Sequence, residues 1–319
     1  MLSFLFKLIK FVFLSFVVIF GLIMAIGLLG VFFSDDNWEE EPLPKDEYSE
    51  YIPVEDDNSG QDTLLNGYMK HYRVWRDFDQ NVFEGEYYVY DRDLKSSYLH
   101  RTRIADEQTT RNPAYNNYYL RNSELREKDS NLFYWTWIYE TVLDHDKPLM
   151  SGMIAMFDSI QNAAQPDRLH FAEIIVSHVQ YIPYSLIHAL TCEEYISDDP
   201  YCEGFRCKYH RDGNPCVASI AHGIFAPVEF AYNLKGDCDT RVLLLMEILD
   251  HYGYDVKMLY SYEYGHAVLG INLPTTGYYV TLAGIRYYLW ETTNTGWLPG
   301  QIEPQYQNMN YWVAMDTRF

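Results

Sequence analysis

The sequence predicts an α+β fold placed behind a membrane-spanning helix. Three observations carry this: an uncharged apolar run near the N-terminus, one late segment that is apolar around nearly its whole circumference, and a succession of short β-type runs after it. Strand and helix patterns do not alternate along the chain, and no fixed repeat is present.

The first element is Phe11 to Phe33, 23 residues without a charge, long enough to cross ~30 Å of hydrocarbon. Lys7 and Lys10 precede it, and Asp35, Asp36, Glu39, Glu40 and Glu41 follow. The positive-inside bias therefore makes residues 1–33 a cytoplasmic N-terminus and anchor, with everything after them outside, in a periplasm or at a cell surface. A cleaved signal peptide is the rival reading, but its apolar region spans only about 7–15 residues and ends at a small-x-small site that is not evident here. Residues 34–62 are acidic and interrupted by Pro42, Pro44, Pro53 and Gly60, the pattern of an extended tether.

Residues 63–165 read as an α/β subdomain. Trp75 to Tyr90, with a polar break at Asp77 to Asn81, predicts a hairpin. Helical spacing follows near Asn116 to Glu127, Ser130 to Leu143 and Met150 to Ala163.

Residues 166–319 read as the main domain. Arg168 to Gln180 has an amphipathic pattern that Pro183 closes, and Thr240 to Tyr252 is apolar enough to be a central buried helix. Four β-type runs come next: Val256 to Tyr262, His266 to Leu273, Tyr278 to Leu282 and Arg286 to Thr292, with a turn at Pro274 to Gly277.

A net charge of -21 repels phosphate backbones, and no basic stripe with interleaved aromatics offsets it, so nucleic acid is excluded as a partner. No cofactor or metal is expected. The aromatic fraction of 17% and hydrophobic fraction of 48% describe a chain able to build a large core without crosslinks.

Three residues could do chemistry together. Cys238, in Lys235-Gly-Asp-Cys-Asp-Thr240, stands just before the buried helix, where unpaired backbone N–H groups and the helix dipole favour an anion. Asp237 and Asp239 oppose this, so the thiolate needs a cationic partner. His266, opening a strand after Tyr264-Gly265, is placed to be that partner and the general base. Glu291, in Leu289-Trp-Glu-Thr-Thr293, could bond the second ring nitrogen and fix the tautomer. Singly each residue is more simply structural; their order along a helix start and two strands joins them.

The stretches Gly236-Asp-Cys-Asp-Thr240, Gly265-His-Ala-Val268 and Trp290-Glu-Thr-Thr293 with Gly296-Trp-Leu-Pro299 resemble the transglutaminase-like superfamily. Val179-Gln-Tyr-Ile-Pro-Tyr184 and Pro227-Val-Glu-Phe230 resemble segments that precede the nucleophile in bacterial, membrane-anchored members, extending the likeness over residues 168–313. The resemblance implies a papain-like core and a Cys, His, Asp triad that transfers acyl groups through a thioester. Carried over, Cys238 is the nucleophile and His266 the base, while Glu291 stands where the family usually has Asp. The backbone N–H of Cys238 is a natural oxyanion donor, and Gln180 or Tyr181 is a candidate for a second, with packing at a helix end as the alternative role.

Cys192, Cys202, Cys207 and Cys216 fall in a polar insertion, residues 191–220. Outside a membrane they favour two disulfides, in any of three pairings, which leaves Cys238 as the odd thiol. Zinc is the alternative, but C-x9-C-x4-C-x8-C lacks paired short knuckles and His210 adds little. The functional expectation is a peptidase or amidase acting on a protein or peptide. Its rivals are a non-catalytic interaction or scaffold module of the same fold and, third, a redox or metal sensor built on the clustered cysteines.

Overall fold

The structure, a computed structural model, describes residues 62–108, 111–192 and 205–315. The expected membrane span Phe11–Phe33 and nearly all of the tether lie outside the described residues. Among the described residues no helix is long and apolar enough to cross a membrane.

The chain is α+β, as its patterning predicts. It opens with an antiparallel sheet of β1 (Thr63–Leu65), β2 (Tyr68–Arg76) and β3 (Val82–Tyr90). The polar break is the β2–β3 turn, where the Asp77 carboxylate accepts from the Asn81 backbone and side-chain N–H groups at 2.8 and 2.9 Å. Alternate residues Trp75, Tyr87 and Val89 are buried, as expected of a sheet covered on one face.

Helices α1 (Asp91–Glu107), α2 (Pro113–Arg121), α3 (Ser123–Lys128), α4 (Ser130–Asp146), α5 (Ser151–Ala164) and α6 (Arg168–Gln180) follow. The pattern expected near 116–127 is broken at Asn122 into α2 and α3. Asn112 and Asp167 cap α2 and α6 with their side chains. Helix α1 has no counterpart among the sequence expectations, because its buried positions include Ser97 and Arg101 beside Ile104. That face is stabilised by polar contacts: Ser97 Oγ donates to Asp146 at 2.7 Å, and Arg101 donates to both oxygens of Glu229 at 2.5 and 2.8 Å.

The rest comprises β4 (Leu186–Ile187), α7 (Phe205–Arg211), β5 (Cys216–Val217), α8 (Pro227–Asn233), α9 (Cys238–His251), β6 (Val256–Ser261), β7 (His266–Ile271), β8 (Tyr279–Leu282), β9 (Ile285–Trp290) and β10 (Val313–Ala314). The last five strands form one antiparallel sheet in the order β10-β6-β7-β9-β8. Helix α9 packs on β6 and β7, with Val242 to Leu245, Ile248 and Leu249 fully buried.

Segments 63–165 and 166–315 share one core rather than holding one each. Trp75, Tyr87, Ile104 and Phe157 belong to the same buried cluster as Ile174, Phe230, Leu244 and Leu269. Trp75 Nε1 donates to Ile174 O at 3.1 Å and Tyr87 Oη to Ala231 O at 3.0 Å, so polar groups cross the same boundary. The early elements therefore form the floor on which α6, α8 and α9 rest.

Of the insertion cysteines, Cys192 and Cys216 are joined as a disulfide. Cys202 and the Cys207 side chain lie outside the described residues.

Candidate active site

Cys238 is the first residue of α9, so its N–H has no acceptor within the helix and stands at the positive end of the dipole. The preceding residues bring it there through a close approach: a Cβ on Gly236 would lie 2.8 Å from Thr240 Cγ2 and 3.0 Å from the Phe230 ring. Among the described residues Cys238 is the free cysteine, and it is partly exposed.

His266 begins β7, and Gly265 before it takes φ +59°, the left-handed turn conformation that glycine adopts without strain. Across the sheet, β7 pairs with β9 so that Leu269 faces Trp290. Glu291, one residue past β9, thus neighbours Val268 and lies diagonal to His266, within reach of a long side chain.

The His266 imidazole and the Glu291 carboxylate meet, Nε2 to Oε2, at 2.8 Å. The other carboxylate oxygen accepts from Thr292 N at 2.8 Å, Thr293 N at 3.0 Å and Thr293 Oγ1 at 2.7 Å. Burial alone would raise the Glu291 pKa, but the imidazolium and the Thr293 donors pull it down to about 2. Burial likewise works against a charged His266. Attraction to Glu291, a hydrogen bond with Cys238 and the bond to Glu291 outweigh it, raising His266 well above its ordinary pKa. The carboxylate and the nearby thiol thus both favour the imidazolium form of His266.

The two acids flanking the thiol are managed separately. Burial, then repulsion from Asp239 and Cys238, raises Asp237 well above the usual carboxylate range, which weakens its opposition to an anion at Cys238. Asp239 accepts from Tyr139 Oη at 2.9 Å and from Thr240 N at 2.9 Å.

Gln180 is buried beside these residues, but its amide nitrogen donates to Glu291 O at 2.8 Å and to Trp297 O at 3.0 Å. An amide nitrogen has two hydrogens, and these two contacts let Gln180 brace the Glu291 strand end. The Tyr181 N–H is also committed, to Ser177 O at 3.0 Å, closing α6. These contacts describe the helix-end packing weighed for Gln180 and Tyr181 beside an oxyanion role.

Arg241 was not singled out by the sequence. It is fully buried one turn into α9 and donates to Gly236 O at 3.0 Å, Val179 O at 2.8 Å, Thr292 O at 3.1 Å and Ile182 O at 2.5 Å. One guanidinium thus ties together the loop before Cys238, the end of α6 and the segment after Glu291. Burial lowers its pKa to about 10, which leaves it cationic at neutral pH. The available signal was a basic residue immediately before the apolar run Val242–Met246 of α9.

An aromatic wall also escaped the sequence reading. The Tyr306 ring lies 5.0 Å from the His266 ring and the Trp312 ring 6.1 Å from it, with Trp312 Nε1 donating to Tyr306 O at 3.0 Å. These residues come from the irregular C-terminal segment, which carries no periodicity to flag it.

No protein-family model, no curated protein and no solved structure matches this chain.

Proposed function

We propose that the protein is a thiol enzyme of transglutaminase-like type, tethered by its N-terminal apolar run and working outside the membrane as a peptidase or amidase. The observation that carries this reading is the relay Cys238, His266, Glu291. A thiol at a helix start lies close enough to an imidazole to favour its charged form, and a carboxylate holds that ring at 2.8 Å.

In the proposed reaction Cys238 Sγ attacks the carbonyl carbon of an amide in a protein or peptide. The oxyanion faces the Cys238 N–H, and the imidazolium of His266 protonates the departing amine, leaving an acyl-thioester. Water or an amine then attacks the thioester while His266 takes its proton, releasing acid or new amide and restoring the thiolate and imidazolium. Glu291 keeps the imidazole in the tautomer that faces the sulfur and stabilises its charged form. The sequence likeness around Cys238, His266 and Trp290 to Pro299 supports the same assignment.

Iodoacetamide labelling near neutral pH tests it, read by intact mass and peptide mapping. Selective alkylation of Cys238, lost in Cys238→Ala and slowed in His266→Ala, is expected. Unselective or absent labelling of Cys238 would instead favour a scaffold module of the same fold.

A further inference from the structure

A second cluster of ligating side chains lies in the insertion and just before it, and it shares no residue with the proposed reaction. His188, His210 and Cys216 each bring one donor atom to within 4.8 Å of the others. Cys192 is bonded to Cys216, so its sulfur stands beside this group. His188 follows β4, Cys216 opens β5, His210 lies on α7, and Cys192 follows His188 by four residues.

We propose that His188, Cys192, His210 and Cys216 form a tetrahedral Zn(II) site when both sulfurs are thiolates, the disulfide being its metal-free, oxidised form. A disulfide accounts for the two sulfurs but not for the two imidazoles. His188 is buried, and its Nε2 faces the Nε2 of His210 at 3.1 Å. As a hydrogen bond, that contact needs one ring to donate and the other to accept through the same atom. Around zinc both present the same lone pair, and two nitrogens at about 2.0–2.1 Å from the ion stand about 3.3 Å apart. The observed separation is within a few tenths of an ångström of this.

The spacings agree once histidines are counted. His188-x3-Cys192 and His210-x5-Cys216 are two short ligand pairs separated by a longer stretch, the arrangement of structural zinc sites. Four cysteines taken alone concealed it. The local fold also calls for a crosslink, since β4 and β5 pair over two residues each, Leu186 with Cys216 and Ile187 with Val217. His188 N donates to Val217 O at 2.8 Å and Ile220 N to His188 O at 2.9 Å, which positions the ring.

Opening the disulfide takes two electrons and two protons. A phosphine reductant supplies the electrons, becoming phosphine oxide with oxygen from water, and the two thiols then release two protons as they bind Zn(II). The test uses the full-length chain in detergent, reduced with such a phosphine under inert gas and titrated with Co(II) and then Zn(II). The expected result is one equivalent of Co(II) giving strong visible d–d absorption and thiolate-to-cobalt charge transfer, displaced by one equivalent of Zn(II). His188→Ala and His210→Ala should each weaken binding more than about 100-fold, exceeding the usual effect of losing an outer-shell partner. The proposal is overturned if the reduced parent chain shows no tetrahedral Co(II) spectrum, or if both histidine variants bind like the parent. The parent measurement needs no variant to fold, and neither readout depends on Cys238.

Discussion

His266 and Glu291 join Nε2 to Oε2 at 2.8 Å although the β7–β9 register sets them diagonally. The diagonal explains why a glutamate serves here. Its extra methylene lets one oxygen reach the imidazole while the other folds back onto Thr292 N, Thr293 N and Thr293 Oγ1.

Glu291→Gln keeps the length and removes the charge, so the alkylation rate of Cys238 should fall by up to about 30-fold, the limit set by a thiol of ordinary pKa being a few per cent thiolate near neutral pH. Glu291→Asp should fall by about tenfold or more, because the shorter arm gives up either the ring or the threonines. Second-order rate constants from intact mass decide this; a Gln variant reacting like the parent removes Glu291 from the relay.

The pH dependence follows from the two shifts. Glu291 is depressed from 4.5 to about 2, so its stabilisation is present above 4.5 and is lost as pH falls toward 2. His266 is raised above 6.5, so its share is complete below 6.5 and disappears as pH rises through the higher folded value. Urea midpoints should therefore show the largest gap between parent and Glu291→Gln between pH about 4.5 and 6.5. The His266 ring resonance, followed by NMR, should titrate above 6.5 in the parent and at lower pH in the variant.

Much of this was legible because local patterns and tertiary demands agree. The hairpin, α4, α5, α6, α9 and the strands β6 to β9 combine period with burial, and Cys238, His266 and Glu291 sit at element ends that can be read from turns and caps. Helix α1 was not legible, since Ser97 and Arg101 occupy its buried face and their partners Asp146 and Glu229 are distant in sequence. Arg241 was hidden for a related reason: its partners are backbone carbonyls, which carry no residue signature. Gln180 was recognisable as a site neighbour, but the direction of its amide is set by the carbonyls of Glu291 and Trp297.

Arg241→Leu should lower stability by about 3–5 kcal/mol, because four buried carbonyls lose a charged donor at once. Arg241→Lys should recover only part, an ammonium having three donors and no planar fork. Denaturant midpoints measure both; a loss below about 1 kcal/mol would show that water replaces the guanidinium without cost.

The shared core predicts that a chain starting at residue 166 does not fold alone, since Phe230, Ile174 and Leu244 lose Trp75, Tyr87 and Phe157 from the same cluster. Arg101→Ala, leaving Glu229 buried and unpaired, should cost about 3–5 kcal/mol, whereas the double change Arg101→Met with Glu229→Leu should cost much less. Limited proteolysis gives the complementary readout: a stable 166–319 fragment would mean two separate cores.

The central claim is that Cys238, His266 and Glu291 act as one unit, and a double-mutant cycle on the Cys238 alkylation rate tests it most directly. If Glu291 works through His266, adding Glu291→Gln to His266→Ala should change the rate by less than about twofold beyond His266→Ala alone. Full additivity of the two losses would contradict the relay and leave the two residues as independent neighbours of the thiol.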